Sequence, residues 1–346
     1  MKRIKLFRIN IFLLFISVIC QANSLNATNP KPIVLKYGLF IKKIVPNFKE
    51  GTFHAEFYWW LKFKNDSTST DWSNDDILEL EYTNACQFES GSFKDEIQET
   101  KAFEDQNWYY SGYHQGDFYF NPDFSNYPFD KQVLNITLEN IIIPMDQLLI
   151  ELDTASYVKS HQKADQYGLS ADVVNNKSIN FRIRNSLITS SQGEYDTDFG
   201  DPEFPAHSKY SRLNVAITID RSFVPFITKL VIPLAIILFL VYFVFYIPSE
   251  KIDIAAGLTV TSLLSAIAFQ LSINSDIPEI GYIIYIDKVF YACYFLIAMA
   301  MAESLWTYYL DKTQDPKKVV LAIRVDIIAR ILFPLIFLAS LYFLAK

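Results

Sequence analysis

The sequence predicts a β-sandwich domain followed by a bundle of four membrane-spanning helices. Three observations support this fold class. The chain of 346 residues is polar and rich in aromatic residues up to about Ser222, and mostly apolar after it. The polar part contains segments in which apolar and polar residues alternate, as in strands with one buried face. The apolar part contains four stretches that are each long enough to cross about 30 Å of hydrocarbon.

The first residues have the features of a secretory signal peptide. Four basic residues precede the apolar run at 9–20, and Ala22 offers a small residue for cleavage. We expect residues 1–22 to be removed and residues 23–222 to form an exported sandwich domain. Loss of the four basic residues makes the formal net charge of −7 more negative still. An acidic exported domain attracts cations and argues against a nucleic-acid partner.

The sequence contains no pattern of an enzyme or of a metal site. Cys20 falls in the signal peptide, Cys86 in the exported domain and Cys293 in a predicted span, so no disulfide framework or metal-ligand spacing results. The four histidines are scattered along the chain. A Gly-rich phosphate loop and a nucleophile elbow are both absent from the sequence. We therefore expect no enzymatic activity, no cofactor and no metal.

Strands are predicted where the hydrophobic pattern has a period of two. Residues 53–63, 134–139 and 213–220 alternate apolar and polar side chains. Clusters of Asn, Asp, Gly and Ser separate such segments, and no convincing long amphipathic helix interrupts them. This pattern predicts a β-sandwich. Residues 192–207 form a polar, acidic loop with scattered aromatic residues.

Four spans are predicted, at about residues 223–247, 254–273, 283–306 and 319–344. An exported N-terminal domain places the C-terminus on the outer side as well. Residues 309–318, between the third and fourth spans, hold three lysines against two aspartates, which fits a cytoplasmic loop. This loop is too short to form an effector domain. A signal received by the exported domain must therefore be transmitted within the membrane.

Six residues of the second span lie on one face of the predicted helix. Six positions separated by steps of three or four residues fall within an arc of about 80°, at roughly 100° per residue. They are Asp253, Gly257, Thr261, Leu264, Ala268 and Leu271. A helix surrounded by lipid needs no face on which a carboxylate and a hydroxyl residue precede apolar residues, so this order indicates a face that lines water. Several copies around an axis would form a pore with a charged mouth and an apolar constriction, which predicts an ion-channel subunit.

A short segment of the exported domain points to a family. Residues 120–134 read FNPDFSNYPFDKQVL. With the sandwich and the four spans, this segment resembles the pentameric ligand-gated ion channels, the Cys-loop receptor superfamily. Tyr127-Pro128-Phe129-Asp130 is similar to the aromatic-Pro-Phe-Asp loop at the base of the family's ectodomain.

The resemblance covers nearly the whole mature chain. Pro233 in the first span and the end of the pore helix, at 266–269, match the family in order. Phe120 and Leu134 stand where the family has its two cysteines, so the chain resembles the disulfide-free bacterial branch. The resemblance implies a homopentamer in a bacterial inner membrane, with the large domain in the periplasm and lipid and permeant cations as partners.

The loop at 127–130 makes physical sense as a coupling element. Pro128 stiffens a turn, Phe129 offers an apolar plug for the membrane surface, and Asp130 places a charge beside that plug. A surface turn with a capping aspartate is the alternative. The resemblance implies that Arg221, one residue before the first span, pairs with Asp130; an interfacial anchor is the alternative role for this arginine.

The resemblance implies two further coupling residues. An acid in the first strand connection should join the pair, and Glu50 is the nearest candidate. The turn that contains Pro278 links the second and third spans and should receive the movement of the loop.

The pore face divides into a polar and an apolar part. The resemblance implies that Asp253 forms a ring of acids that selects cations, with Gly257 and Thr261 lining the pore above it. In an arbitrary four-span protein, the favoured role of Asp253 is that of a charge that complements the start of the helix, where Ser249 and Glu250 already serve.

The apolar part is the expected gate, and its residues are Leu264, Ala268 and Leu271. A narrow apolar ring empties of water and blocks ions. Ordinary helix packing is the alternative role for these three residues.

Agonists of the family bind between subunits in a cage of aromatic residues that suits cations. The candidates are Trp59, Trp60, Tyr157, Tyr195, Phe199 and Tyr210. In a chain with 29 Phe and 21 Tyr, such residues are more often in the core than in a cage. The family's Trp-x-Pro segment is not recognisable at 78–93, which leaves the gating ligand or ion unassigned. Ala266 stands where a proton-gated relative carries a histidine, so proton gating does not carry over.

Two other functions fit the same sequence. The chain would act through a partner membrane protein either as a periplasmic-sensing receptor or as a non-conducting subunit. Both alternatives predict no current from the purified chain alone.

Overall fold

The structure is a computed structural model that describes residues 31–65, 72–88, 96–103, 106–175, 181–197, 200, 207–274 and 277–344. The predicted signal peptide at 1–22 and the candidate Phe199 lie outside these residues. Strands make up most of the described chain before Ser222, and helices make up most of it afterwards. The predicted β-sandwich followed by membrane helices is confirmed.

Two sheets form the first domain. The strands of the first sheet are β1 (Ile33–Asn47), β2 (Thr52–Lys64), β4 (Ala85–Phe88), β5 (Ile97–Phe103), β6 (Asn107–Tyr119) and β8 (Leu148–Leu152). Their order is β4-β6-β2-β1-β8, and β5 also pairs with β6. The strands of the second sheet are β3 (Leu80–Tyr82), β7 (Lys131–Asn140), β9 (Phe181–Glu194) and β10 (Lys209–Arg221), in the order β3-β7-β10-β9. All neighbours are antiparallel except β1 and β8.

The core lies between the two sheets and follows the alternation of the sequence. On β2 the odd-numbered residues from Phe53 to Leu61 are fully buried, whereas the even-numbered residues lie nearer the surface. On β10 the odd-numbered residues from Leu213 to Ile219 complete the same core. The period of two therefore sets which side of each strand is apolar, as predicted.

Short helices with polar caps connect some of the strands. Helix α1 (Asn74–Ile77) starts with a reciprocal capping box between Ser73 and Asp76. Asp153 caps α2 (Thr154–Lys159), and Ser170 caps α3 (Ala171–Val174).

The first membrane segment is helical from Phe223 to Tyr246 but changes its pitch twice. It consists of α4 (Phe223–Phe226), a wider π-helical stretch (Ile227–Val231), α5 (Ile232–Tyr242) and a tighter 3₁₀ stretch (Phe243–Tyr246). Pro233 has no N–H to donate to the carbonyl four residues earlier, and the wider stretch lies there.

Three further long helices complete the membrane part. A 3₁₀ turn (Ser249–Lys251) leads into α6 (Ile252–Asn274), which is followed by α7 (Tyr285–Lys312) and α8 (Pro316–Leu344). Among the described residues, Val224–Tyr246, Ser249–Asn274 and Tyr285–Lys312 are long and apolar enough to cross a membrane. Helix α8 carries several charges in its first half, and the fourth span at 319–344 stays a prediction.

The third helix is longer than the sequence predicted. Helix α7 continues to Lys312 rather than ending near Trp306, so only residues 313–315 separate it from α8. Its last two turns contain polar residues and extend the helix beyond the apolar stretch. Arg330 of α8 donates two hydrogen bonds to the carbonyl oxygen of Phe245, at 3.0 and 2.8 Å, which fastens α8 to the end of the first segment.

Candidate functional site

Asp130 and Arg221 meet at the junction of the two domains. Lys131 pairs with Asp220 in the β7–β10 register, which brings the residues just beyond them together. The Arg221 Nε donates to Asp130 Oδ1 at 2.7 Å, and the Gln132 Nε2 donates to Asp130 Oδ2 at 2.6 Å. The Asp130 side chain is 1% exposed. Both of its oxygens therefore have donors, which a buried carboxylate requires.

Aromatic rings surround the guanidinium of Arg221. Its central carbon lies 4.3 Å from the ring centroid of Phe48, 4.9 Å from that of Tyr127 and 5.9 Å from that of Phe124. These distances are those of cation–π contacts.

Glu50, which the sequence predicted in this cluster, is exposed and forms no salt bridge with a described residue. The Glu50 N–H donates to Asn47 Oδ1 within the β1–β2 turn. Phe48 contacts Arg221 from the same turn instead.

The loop that contains Asp130 contacts two membrane segments. The half-exposed ring of Phe129 lies 5.0 Å from the ring of Phe226 in α4 and 6.0 Å from that of Tyr285 at the start of α7. The Tyr285 N–H donates to the Ser125 carbonyl oxygen at 3.1 Å. Phe129 thus contacts the starts of two membrane segments, and its role as a plug stays a prediction.

The connector between α6 and α7 approaches the loop at its later end. The Phe124 N–H donates to the Tyr282 hydroxyl at 2.9 Å. Pro278 lies earlier in the same connector and is half-buried. The described hydrogen bonds that join this part of the chain to the loop thus involve Tyr282 in the connector and Tyr285 at the start of α7 rather than Pro278.

A cavity of about 300 Å³ borders this junction. It is lined by Phe48, Tyr127, Pro128, Arg221, Phe226, Lys229 and Ile273, among others. Arg221 and Ile273 near the end of α6 therefore face one space. Such a space leaves room for the side chains of the junction to take a second arrangement.

The predicted pore face is the uncovered side of α6. All six of its residues, from Asp253 to Leu271, are exposed in the single chain. The buried residues of α6 are Ala255, Thr259, Ser262 and Ala266. The Tyr294 hydroxyl of α7 donates to Gln270 Oε1 at 2.6 Å and contacts the Ala266 carbonyl oxygen at 3.4 Å. Helix α7 thus covers the opposite side of α6 and leaves the predicted face open.

The lower end of this face is polar and accessible. Asp253 forms no hydrogen bond or ion pair with any residue that the structure describes. The Ser249 hydroxyl, expected at the helix start, donates instead to Asp311 Oδ2 at 2.6 Å. A Cβ at Gly257 would meet no atom within 4 Å, so the surface remains open one turn above Asp253.

Three of the candidate ligand aromatics lie in the interior. Trp59, Tyr157 and Tyr210 are at most 3% exposed, so within this chain they cannot line an open cage. Trp59 lies on the core side of β2. The Tyr157 hydroxyl accepts from the Leu39 N–H and donates to the Leu39 carbonyl oxygen, each at 2.8 Å.

Trp60 belongs to a hydrogen-bonded cluster around Asp153. Its ring lies against Gly38, where a Cβ would be 2.2 Å from the indole. The Trp60 Nε1 and the Lys62 Nζ donate to Asp153 Oδ2 at 2.9 and 2.7 Å. Burial opposes ionisation of Asp153, but hydrogen bonds from Lys62, Ser156 and Trp60 outweigh it and lower its pKa. Trp60 is therefore held by structural bonds.

Tyr195 covers a buried ion pair at the other end of the second sheet. Arg212 on β10 donates through Nε to Glu139 Oε2, directly opposite it on β7. The Tyr195 hydroxyl donates to Glu139 Oε1 at 2.9 Å and accepts from Arg212 Nη2 at 3.0 Å. Burial, followed by the hydrogen bond to Glu139, raises the pKa of Tyr195. Tyr210 packs edge-on to Tyr195, with 5.9 Å between ring centroids.

The β9–β10 connection also gathers three exposed groups that could bind a metal ion. The ligand atoms of Glu194, Asp196 and His207 lie within 4.8 Å of one another. His207 Nδ1 is 3.2 Å from Asp196 Oδ1. His207 is more than ten residues from Glu194 and Asp196 in the sequence, so the sequence spacing of the three residues did not indicate a metal site.

Comparison with known proteins finds ion channels at low sequence identity. No protein-family model matches it. A proton-gated ion channel of Gloeobacter violaceus is 23% identical over 224 residues, which are 64% of this chain and 55% of that protein. A glutamate-gated chloride channel subunit beta of Haemonchus contortus is 23% identical over 192 residues, 56% of this chain and 40% of that protein. These matches are consistent with a similarity to the Cys-loop receptor superfamily.

A third relative of this superfamily is a gamma-aminobutyric acid receptor subunit beta of Caenorhabditis elegans. It is 21% identical over 180 residues, 51% of this chain and 28% of that protein. The chain thus spans about half the length, or less, of the curated relatives it matches. All three relatives are channels or receptor subunits rather than enzymes.

Sequence reasoning missed several residues of these sites. Phe48 lies two positions before the predicted Glu50, and nothing in the turn sequence distinguishes an inward ring from an inward acid. Glu139 follows Leu138 on the side of β7 that the alternation assigns to solvent, yet it is buried. An arginine directly opposite Glu139 on β10 would have indicated a buried acid. Which residue of β10 lies opposite Glu139 can be read only from the strand register.

Proposed function

We propose that the chain is a subunit of a homopentameric, stimulus-gated and cation-selective ion channel. The sandwich would lie in the periplasm of a bacterium and the helices in its inner membrane. The similarity to channels supports gated conduction in general. The observation that carries the proposal is the uncovered face of α6, with Asp253 at one end and Leu264 and Leu271 toward the other.

A single copy would expose this face to lipid. A carboxylate costs about 2.5–3.5 kcal/mol at the centre of a span and less at its end, where Asp253 lies, and every polar group in the hydrocarbon needs a partner or water. Five copies with α6 innermost place Asp253 around a watery mouth. The same arrangement brings the exposed Leu264 and Leu271 together as apolar rings that empty of water and close the pore.

Selectivity rests on this chain's own residues, because the relatives include a protein named as a chloride channel. Five Asp253 carboxylates around a narrow opening attract cations and repel anions. Glu250 is a second exposed acid near the same end and is the alternative filter.

The junction supports the coupling part of the proposal. The loop from Tyr127 to Asp130 touches α4 and α7, and Arg221 continues directly into α4. A small ligand or ion acting on the sandwich would therefore move the outer ends of two membrane segments through one loop. Residue 266 of α6 is alanine where a proton-gated relative carries a histidine, so a histidine at this position cannot sense protons in this chain.

Electrical recording of the purified protein in lipid bilayers tests conduction. We expect cation current when pH, calcium and small amines are varied in turn. A pentamer that never conducts under these stimuli would favour the alternatives, a periplasmic-sensing receptor or a non-conducting subunit that acts through a partner membrane protein.

Asp253→Lys tests the filter. Reversal of the five charges should abolish cation current or shift the reversal potential in a salt gradient toward that of chloride. Lys251→Gln is the matched control, since this exposed residue lies two positions away on another side of the helix. A reversal potential that Asp253→Lys leaves unchanged would move the filter to Glu250.

Leu264→Ser tests the gate. Five hydroxyls at one level make the closed pore easier to wet, so we expect spontaneous current or a lower stimulus threshold, with unchanged selectivity. The exposed but smaller Ala268 should give a weaker effect when changed to Ser. If the resting Leu264→Ser channel carries no current and its threshold is unchanged, the gate would have to lie at Leu271 or in the exported domain.

A further inference from the structure

Three polar side chains join the later half of α6 to α7. The Tyr294 hydroxyl donates to Gln270 Oε1 at 2.6 Å, and the Gln270 Nε2 donates to Asp287 Oδ1 at 2.7 Å. The Tyr294 hydroxyl also lies 3.4 Å from the Ala266 carbonyl oxygen, one turn earlier on α6. Gln270 is therefore the middle member of a polar link that consists of Tyr294, Gln270 and Asp287.

The link holds α6 at the level of the proposed gate and from behind it. At roughly 100° per residue, Ala266 and Gln270 point about 180° and 140° away from the centre of the predicted pore face. Gln270 comes directly before Leu271 and two residues after Ala268, which both belong to the apolar part of that face. Because the backbone bonds of a helix fix the angle between adjacent residues, a bond at Gln270 also fixes the direction in which Leu271 points.

The other end of the link lies next to the coupling loop. Asp287 is in the first turn of α7, two residues after Tyr285. Tyr285 contacts the loop twice, because its N–H donates to the Ser125 carbonyl oxygen and its ring lies 6.0 Å from that of Phe129. A displacement of the loop that moves the start of α7 therefore also moves the carboxylate that accepts from Gln270.

Hydrogen bonds select the rotation of α6 more strictly than the apolar packing beside them. The rings of Phe269 on α6 and Phe290 on α7 lie next to the link, with 5.7 Å between their centroids. Apolar burial has little directional preference, whereas a hydrogen bond weakens steeply when donor and acceptor are not aligned. Where lipid excludes water, a broken bond also has no water to replace it. The two bonds of the Gln270 amide thus favour one rotation of α6.

We propose that Gln270 is a positioning residue, which holds the apolar part of the pore face toward the axis through its bonds to Tyr294 and Asp287. The inference rests on the proposed function, in which five copies of α6 surround a pore that rings of Leu264 and Leu271 close. In that arrangement the link stabilises the closed pore. A shift of Asp287 together with the coupling loop weakens the link and frees α6 to turn.

Four variants distinguish the bonds from the packing of the same side chains. Gln270→Leu removes both bonds with an apolar side chain of similar size, and Tyr294→Phe removes one hydroxyl. Asp287→Asn keeps an oxygen that accepts from Gln270 and is the matched control. The exchange variant Gln270→Glu/Asp287→Asn keeps both bonds, because the introduced amide donates to the introduced carboxylate, which also accepts from the Tyr294 hydroxyl. A residue needed only for packing would not distinguish Gln270→Leu from the exchange variant.

Thiol labelling of the full chain in lipid vesicles measures the rotation of α6 without any current. Ala268→Cys places a reporter on the predicted face, and Ile267→Cys places one about 80° from the centre of that face. Cys86→Ser removes the partly buried native thiol from the background, whereas Cys293 is buried and can stay. A charged thiol reagent that does not enter lipid should modify the reporter at 268 faster than the reporter at 267.

The ratio of the two labelling rates is the measured quantity. Gln270→Leu and Tyr294→Phe should each change this ratio about fivefold, the population shift expected from the loss of one hydrogen bond. Asp287→Asn and the exchange variant should keep the native ratio. Tyr294→Phe alters a single hydroxyl group, so it carries the test if Gln270→Leu does not fold, and thermal unfolding of each variant shows which of them do.

The outcomes separate failure of this inference from failure of the proposed function. If no charged reagent modifies the Ala268→Cys reporter in the native background, the face does not line water, and the proposed function fails together with the inference. If the reporter reacts but Gln270→Leu and Tyr294→Phe leave the ratio unchanged, the positioning role of Gln270 alone is wrong. An exchange variant that alters the ratio as much as Gln270→Leu does would also contradict that role.

Discussion

Strands β7 and β10 carry an arginine–acid pair at each end, and the two pairs differ in what surrounds them. Arg212 meets Glu139 at one end, and Arg221 meets Asp130 at the other, about 30 Å along the strand. Each acid side chain is 1% exposed. The far pair is completed by Tyr195, which directly follows β9 of the same domain. The junction pair is surrounded by rings from the β1–β2 turn and from the loop that touches α4 and α7.

The chain therefore contains one arginine–carboxylate pair within a single domain and another between two domains. The far pair closes within one domain, so its loss should cost folding stability. The junction pair joins segments that belong to both domains, so we propose that its loss also changes gating. This difference defines the experiments that follow.

The largest effect is expected from breaking the junction pair. Arg221→Ala leaves the buried carboxylate of Asp130 with Gln132 as its remaining described donor, and removal of one partner of a buried pair costs about 3–5 kcal/mol. We expect assembled protein with impaired opening. The double variant Asp130→Ala/Arg221→Ala should cost less than the sum of the single variants when opening is measured by current.

A surface pair on the same sheet provides the control for this cycle. Arg184 bonds to Asp220, and the Arg184 side chain is 59% exposed, so its removal should cost about 0–1 kcal/mol. Strict additivity of the Asp130 and Arg221 variants would reduce these residues to independent structural roles.

A smaller and different effect is expected at the far pair. Glu139→Ala leaves Arg212 without its acid, and we expect a loss of about 2–3 kcal/mol because the guanidinium is partly exposed. Thermal unfolding measures this loss. Spontaneous current in a Leu264→Ser background should stay unchanged, because no ligand is needed there. A change in that current as large as the change caused by Asp130→Ala would contradict the proposal that the junction pair, and not the far pair, affects gating.

The smallest effect is expected from Tyr195→Phe. This change removes one hydroxyl that bonds to both Glu139 and Arg212, and should lower the free energy of unfolding by about 1 kcal/mol. Tyr119→Phe, at an exposed position of β6, is the control and should leave stability unchanged. A Tyr195→Phe variant as stable as the control would show that the far pair is complete without its third partner.

The parts of the structure that follow from a local period were predictable. Alternation in 53–63 gave strand β2 and its apolar side, and the steps of α6 gave the face that the single chain leaves open. The same alternation assigns Trp59 to the core, so its choice as a ligand residue contradicted a pattern already visible. Family resemblance brought Asp130 and Arg221 together, and the structure places them at 2.7 Å.

The parts that depend on register and on turn geometry were not predictable. Lys36 and Lys62 are distant in sequence and become neighbours only through the pairing of β1 with β2. Glu50 is on the correct turn, but the bond of its N–H to Asn47 fixes a turn in which Phe48 reaches Arg221. A single sequence contains no period that distinguishes these outcomes.

One contact across the junction has a consequence for exchanging domains between relatives. The hydrogen bond from the Tyr285 N–H to the Ser125 carbonyl oxygen uses backbone atoms on both sides, so it tolerates any side chains that keep the two segments in place. The bond from the Phe124 N–H to the Tyr282 hydroxyl does not. A hybrid that joins this sandwich to the helices of a relative therefore needs a tyrosine at the position of Tyr282 to keep this bond, although that position lies beyond the boundary at Ser222.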